Sequence, residues 1–124
     1  MNLVSHTAPA AVTPRFMPVE SDCMEPTLRS GDLVAVVPVD TWHGEGIYAL
    51  EMLPGALELF RCAPDYLGGL VLSRDNPRYS TRTVSREWFL AHVAAKVAGT
   101  LSLLDRGLME RAAAGRLDHA CGLT

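Results

Sequence analysis

Lysine is nearly missing from this 124-residue chain: Lys96 is the only one, so a lysine general base has a single candidate. Cysteine is scarce and unpatterned. Cys23, Cys62 and Cys121 are an odd number without C-x-x-C spacing and follow no secretory signal, which argues against a disulfide framework and for a reduced, cytoplasmic setting. The stretch from Met1 to Val19 has no basic start, is broken by Pro9, Pro14 and Pro18, and holds no apolar run long enough for a bilayer. Residues 1–18 therefore read as a flexible leader, and no membrane association is expected. Positive charge is not in excess either: a net charge of −3 and a pI near 5.7 disfavour direct nucleic-acid binding by this chain alone. No internal repeat or low-complexity segment is present.

Apolar residues make up 48% of the chain, enough for one core and one domain. The segment Cys23-Met-Glu-Pro-Thr-Leu-Arg-Ser-Gly-Asp32 reads as a single helical turn, with Pro26 at its first position and Gly31 taking the positive φ that ends it. Leu33 to Val37 is rich in β-branched residues and predicts a strand buried on both faces. Ile47 to Met52 and Ala56 to Cys62 flank Pro54-Gly55 and predict a hairpin. Leu70 to Leu72, Trp88 to Leu90 and Val93 to Val97 add strand-like apolar runs. Short strands at close spacing define a mainly β domain. Leu101, Leu104, Leu108 and Ala112 recur at helical spacing and predict a helix over about 102–114.

The order of motifs resembles the S24 peptidase family, the self-cleaving domains of LexA, phage repressors and the UmuD mutagenesis proteins. The resemblance covers Val19 to Thr100. Its first block, Ser21-Asp-Cys-Met-Glu-Pro-Thr-Leu-Arg-Ser-Gly-Asp-Leu-Val34, is similar to the family's Gly-Asp-Ser-Met-Glu-Pro-Thr-Leu followed by Gly-Asp and a strand. Gly46-Ile-Tyr-Ala-Leu50, Leu57-Glu-Leu-Phe-Arg61, Leu72-Ser-Arg-Asp-Asn-Pro77 and Val97-Ala-Gly99 follow in the family's order. Signal peptidases of the S26 family share the Ser-Met-Glu-Pro signature but are usually membrane-anchored. The resemblance implies a LexA/signal-peptidase-like compact β domain over 19–100, with a short helical turn at the nucleophile position, and the leucine spacing adds a helical extension over 101–124 that goes beyond the family's usual end.

In the family a serine attacks a peptide bond while a buried lysine acts as general base. The resemblance places Cys23 at the serine and, with Arg61 as anchor, Phe60 at the lysine. A phenyl ring cannot accept a proton, and Arg61 stays protonated at any relevant pH. Alternation along the strand further predicts that Phe60, on the face opposite Leu59, fills the cleft beside Cys23. The family's substrate bond, a small residue followed by glycine upstream of the nucleophile, also has no counterpart, because no glycine precedes Gly31. Ala114-Gly115 and Cys121-Gly122 carry such a dipeptide on the wrong side of the domain.

The resemblance thus implies an S24-type regulatory or assembly domain of a repressor or DNA-damage-response pathway, without catalysis and acting through a homodimer or a protein partner. Val93 to Val97 is expected to leave a sheet edge for that pairing. No helix-turn-helix segment precedes the domain, which makes the chain resemble the short UmuD-like members. A piece of a longer repressor is the alternative, against which Met1 speaks. The competing reading is a cysteine-dependent peptidase using Cys23, since a thiol needs less activation than a hydroxyl. His43 and His92 are then the histidines to consider as its base. Arg74, Arg78, Arg82 and Arg86 read as a solvated face, Cys62 as a core residue, and the leucine stripe as a cover for the sheet or a partner-binding helix. The sequence points to no metal, cofactor or small-molecule ligand.

Overall fold

The computed structural model describes residues 11–102 and 104–115. Seven strands, β1 (Arg15–Pro18), β2 (Leu33–Pro38), β3 (Gly46–Leu53), β4 (Ala56–Pro64), β5 (Leu70–Ser73), β6 (Arg82–Val84) and β7 (Val93–Leu101), are joined by helices α1 (Arg86–His92) and α2 (Arg106–Ala113). The strands form one antiparallel sheet in the order β1-β2-β7-β3-β4-β5-β6. The mainly β architecture is the one the strand pattern predicts. Among the described residues no helix is long and apolar enough to cross a membrane.

The β3–β4 hairpin closes with Leu53 opposite Ala56, and Gly55 takes φ +78° between them. A side chain is disfavoured at that dihedral, which is why glycine ends the turn. Alternation then divides the sheet into two cores. On one face Val34, Val36, Ala49, Leu59 and Ala95 meet Val19, Cys23, Met24 and Leu28. On the other, Tyr48, Leu50, Phe60, Cys62, Leu70 and Leu72 meet Val84 of β6 and Phe89 of α1.

Several expectations need correction. Arg15–Pro18, placed in the leader, pairs with β2 as β1. β2 is buried on one face only, at Val34 and Val36, because α1 covers the sheet over β3 and leaves the other face of β2 half-open. Trp88 to Leu90 is helical: the Ser85 hydroxyl caps α1 by accepting from the Trp88 N–H at 3.0 Å, and Glu87 sits favourably at the positive end of the helix dipole. Val93 to Val97 is no edge, since β7 lies between β2 and β3. The leucine stripe does not cover the sheet: Leu101 ends β7, while Leu104 and Leu108 are exposed. The segment around Cys23 is a run of turns rather than a helical turn, with a cis peptide bond before Pro26, although Gly31 does take φ +94°.

Candidate functional site

A cleft of about 470 Å³ opens beside Cys23. One wall is the chain from Met17 to Ser21, where β1 runs into the Cys23 turn, and the other is the β3–β4 arm with Gly55, Leu57, Glu58 and Leu59. β5 pairs with β4 only over Arg61–Pro64, so the first half of β4 projects beyond its neighbour. Among the described residues no strand pairs with the outer side of Ala56–Leu59, where an extended chain can hydrogen-bond to the backbone.

Cys23 lies at the inner end of this cleft, 5% exposed. The Ser21 hydroxyl donates to its sulfur at 3.0 Å and accepts from its backbone N–H at 3.4 Å. Ser21 stands where the S24 pattern has glycine, two residues before the nucleophile position. Sequence offered only the general tendency of serine to bond its own backbone two residues on, and the pairing with the thiol was not foreseen.

Phe60, expected beside Cys23, belongs to the opposite core with Tyr48, Leu50 and Cys62. The side chain that β4 sends to Cys23's core is Leu59. The alternation was right and the assignment of faces reversed. Arg74 lines the cleft and lays its guanidinium 3.9 Å above the Phe60 ring, while its Nη2 donates to Glu58 at 2.7 Å. Its side chain is 13% exposed, and its Nε is buried without a partner.

The other candidate bases are elsewhere. Lys96 projects from β7 over Tyr48, with Nζ donating to the His43 carbonyl at 2.6 Å. His92 stacks on Trp88, ring centroids 3.9 Å apart, and its Nδ1 bonds the Trp88 carbonyl at 2.7 Å. Neither histidine nor Lys96 lines the Cys23 cleft; its ionisable side chains besides the thiol are Glu20, Glu58 and Arg74. Cys62 is fully buried, and desolvation pushes its thiol up to about 12. The remaining arginines of the spaced series are engaged: Arg78 with Asp22, Arg82 over Trp88, and Arg86 with the Gly68 carbonyl. Cys121 lies outside the described residues.

The Cys23 turn is held from behind by the loop between β5 and β6. Arg61 makes a two-pronged ion pair with Asp75, both bonds 2.7 Å, and Thr27 donates to the same carboxylate. The hydrogen bond from Arg61 holds the Asp75 carboxyl below its ordinary value, Thr27 adds to this, and partial burial opposes it. The same contact raises the Arg61 guanidinium. Asn76, Arg78 and Tyr79 contact the backbone or side chain of Asp22. Among the described residues no cluster of three or more His, Cys, Asp or Glu side chains is arranged to hold a metal ion. Comparison with known proteins returns no match: no family model, no curated protein and no solved structure is similar enough to place the chain in a family.

Proposed function

We propose that the chain is an S24/LexA-like regulatory domain of the phage-repressor or DNA-damage-response type, which binds through its cleft instead of cutting. The observation that carries this reading is the surroundings of Cys23. The residue in the nucleophile position of the S24 motif sits at the end of an open cleft, and β4 presents to it the aliphatic Leu59. Among the described residues no amine lines the cleft to serve the thiol as the base that the family's reaction uses.

The cleft's other features suit an extended segment of a second copy of this chain. The projecting half of β4 has no strand partner on its outer side among the described residues, and Leu57 is an exposed apolar contact on the same arm. Phe16 on the outermost strand is 59% exposed, a second apolar contact that association would cover. The edges that call for pairing are therefore β1 and the arm of β4, in place of the Val93 to Val97 edge expected from sequence. Both would come from the same protein, giving the homodimer that the resemblance implies.

Two measurements on the full chain test this. Light scattering at micromolar concentration is expected to give a dimer mass that falls towards the monomer in Leu57→Asp; a monomeric wild type refutes dimerisation. Prolonged incubation at alkaline pH, which favours the thiolate, is expected to leave one intact species by mass spectrometry. Fragments that disappear in Cys23→Ala would establish the cysteine-peptidase reading in its place.

A further inference from the structure

We infer that the loop from Asp75 to Tyr79 is a latch that keeps the Cys23 turn closed, with Asn76 as its positioning residue. The inference concerns the thiol's cover and stands whether or not the cleft receives a second copy. Asn76 is 8% exposed, and among the described residues it is the one buried residue outside the apolar, tyrosine and cysteine set. A buried amide is costly unless its donors and acceptors are occupied, and here they are. Its Nδ2 donates to the Asp22 carbonyl at 2.9 Å and its backbone N–H to the Cys23 carbonyl at 3.0 Å. Its Oδ1 accepts from the Arg78 N–H at 3.0 Å, and its carbonyl accepts from the Tyr79 N–H at 3.1 Å.

One residue thus ties two consecutive carbonyls of the Cys23 turn, Asp22 through its side chain and Cys23 through its backbone N–H, to a loop more than fifty positions away in sequence. The turn itself is held by sparse internal bonds, Glu25 N–H to Asp22 and Leu28 N–H to Met24. Its far end is anchored by the Val19–Asp32 and Gly31–Val19 backbone bonds and its middle by the buried Met24 and Leu28, whereas the carbonyls at its Cys23 end are tied to the body through the latch. Two further ties flank Asn76. The Tyr79 hydroxyl donates to the Asp22 carboxylate on one side, and Thr27 donates to Asp75 on the other. Tyr79 and Arg78 reach the surface, so the latch can be released from outside the cleft. Release lets the turn lift and exposes the Cys23 sulfur, which in the closed state is buried beside Ser21.

Cysteine labelling read by peptide mapping on the full chain separates this from a general loss of stability. Cys62, buried in the other core, is the internal control, because global unfolding exposes both thiols. Asn76→Ala is expected to raise the labelling rate of Cys23 by maleimide about tenfold, a shift of about 1.4 kcal/mol in the local opening equilibrium, with Cys62 unchanged. Tyr79→Phe, which removes one tie and leaves the buried amide, is expected to raise it about threefold, again with Cys62 unchanged. If both cysteines accelerate together in both variants, Asn76 and Tyr79 support the whole fold and the latch is refuted. If Cys23 does not accelerate in either, the turn holds itself closed and the latch is equally refuted.

Discussion

The two faces of the sheet are covered by different kinds of structure. On the Tyr48 face the cover is α1, a capped helix whose Phe89 meets Tyr48 and Trp42 edge-on, at centroid distances of 5.1 and 5.4 Å. On the Cys23 face the cover is a run of turns whose apolar contribution is Cys23, Met24 and Leu28. A helix satisfies its interior backbone groups internally, so it needs only an apolar face to dock. A run of turns leaves carbonyls such as that of Cys23 without an internal partner, and the β5–β6 loop provides one, adding a second donor to the Asp22 carbonyl. One face is closed by packing, the other by packing together with a polar clasp. The clasped face carries the cleft lined by Cys23.

This contrast can be broken most directly by truncating each cover. Phe89→Ala removes a fully buried ring from the aromatic cluster and is expected to lower stability by about 3–5 kcal/mol. Met24→Ala, equally buried, is expected to lie nearer about 2 kcal/mol, because a cover made of turns can relax into the space. Urea unfolding of both variants checks the order; a reversal would mean that the Cys23 turn is the more rigid cover.

The clasp also predicts a pH dependence confined to one face. Asp75 titrates below its ordinary value of 3.8, so its contribution is complete above that value and is lost as the pH falls through its lower folded value. Protonation weakens the ties to Arg61 and Thr27. Hydrogen exchange followed from about pH 5 down to about pH 2 should show the Asn76 amide, bonded to the Cys23 carbonyl, losing protection before the Phe89 amide of α1. Asp75→Asn should flatten that difference, and simultaneous loss on both faces would show that the carboxylate does not act locally.

The smallest effect is expected outside both cores. Leu108 on α2 is 42% exposed, and α2 meets the body of the domain through Arg106, which donates to the Gly31 carbonyl at 2.8 Å. Leu108→Ala should change the unfolding free energy by no more than about 0.5 kcal/mol. A larger loss would make α2 part of a third packed region.

The sequence determined what is local. Strands β2 to β5 follow from β-branched and alternating residues, the β3–β4 reversal from Pro54-Gly55, and the end of the Cys23 segment from the positive φ of Gly31. The alternation also separated Leu59 from Phe60, since neighbours on a strand point to opposite faces whatever surrounds them. Asp75-Asn-Pro77 was legible in the sequence only as a turn that closes a strand. A sequence of turn residues does not reveal whose carbonyls an amide will meet. The tertiary structure decided which face receives Cys23, and so placed Leu59 and not Phe60 beside it. It also set β7 between β2 and β3, because strand order depends on pairings across long stretches of chain that no local pattern encodes. Trp88 to Leu90 became helical for a related reason. Their short apolar run is compatible with either period, and the Ser85 cap together with the fit of Phe89 against Tyr48 selected the helix.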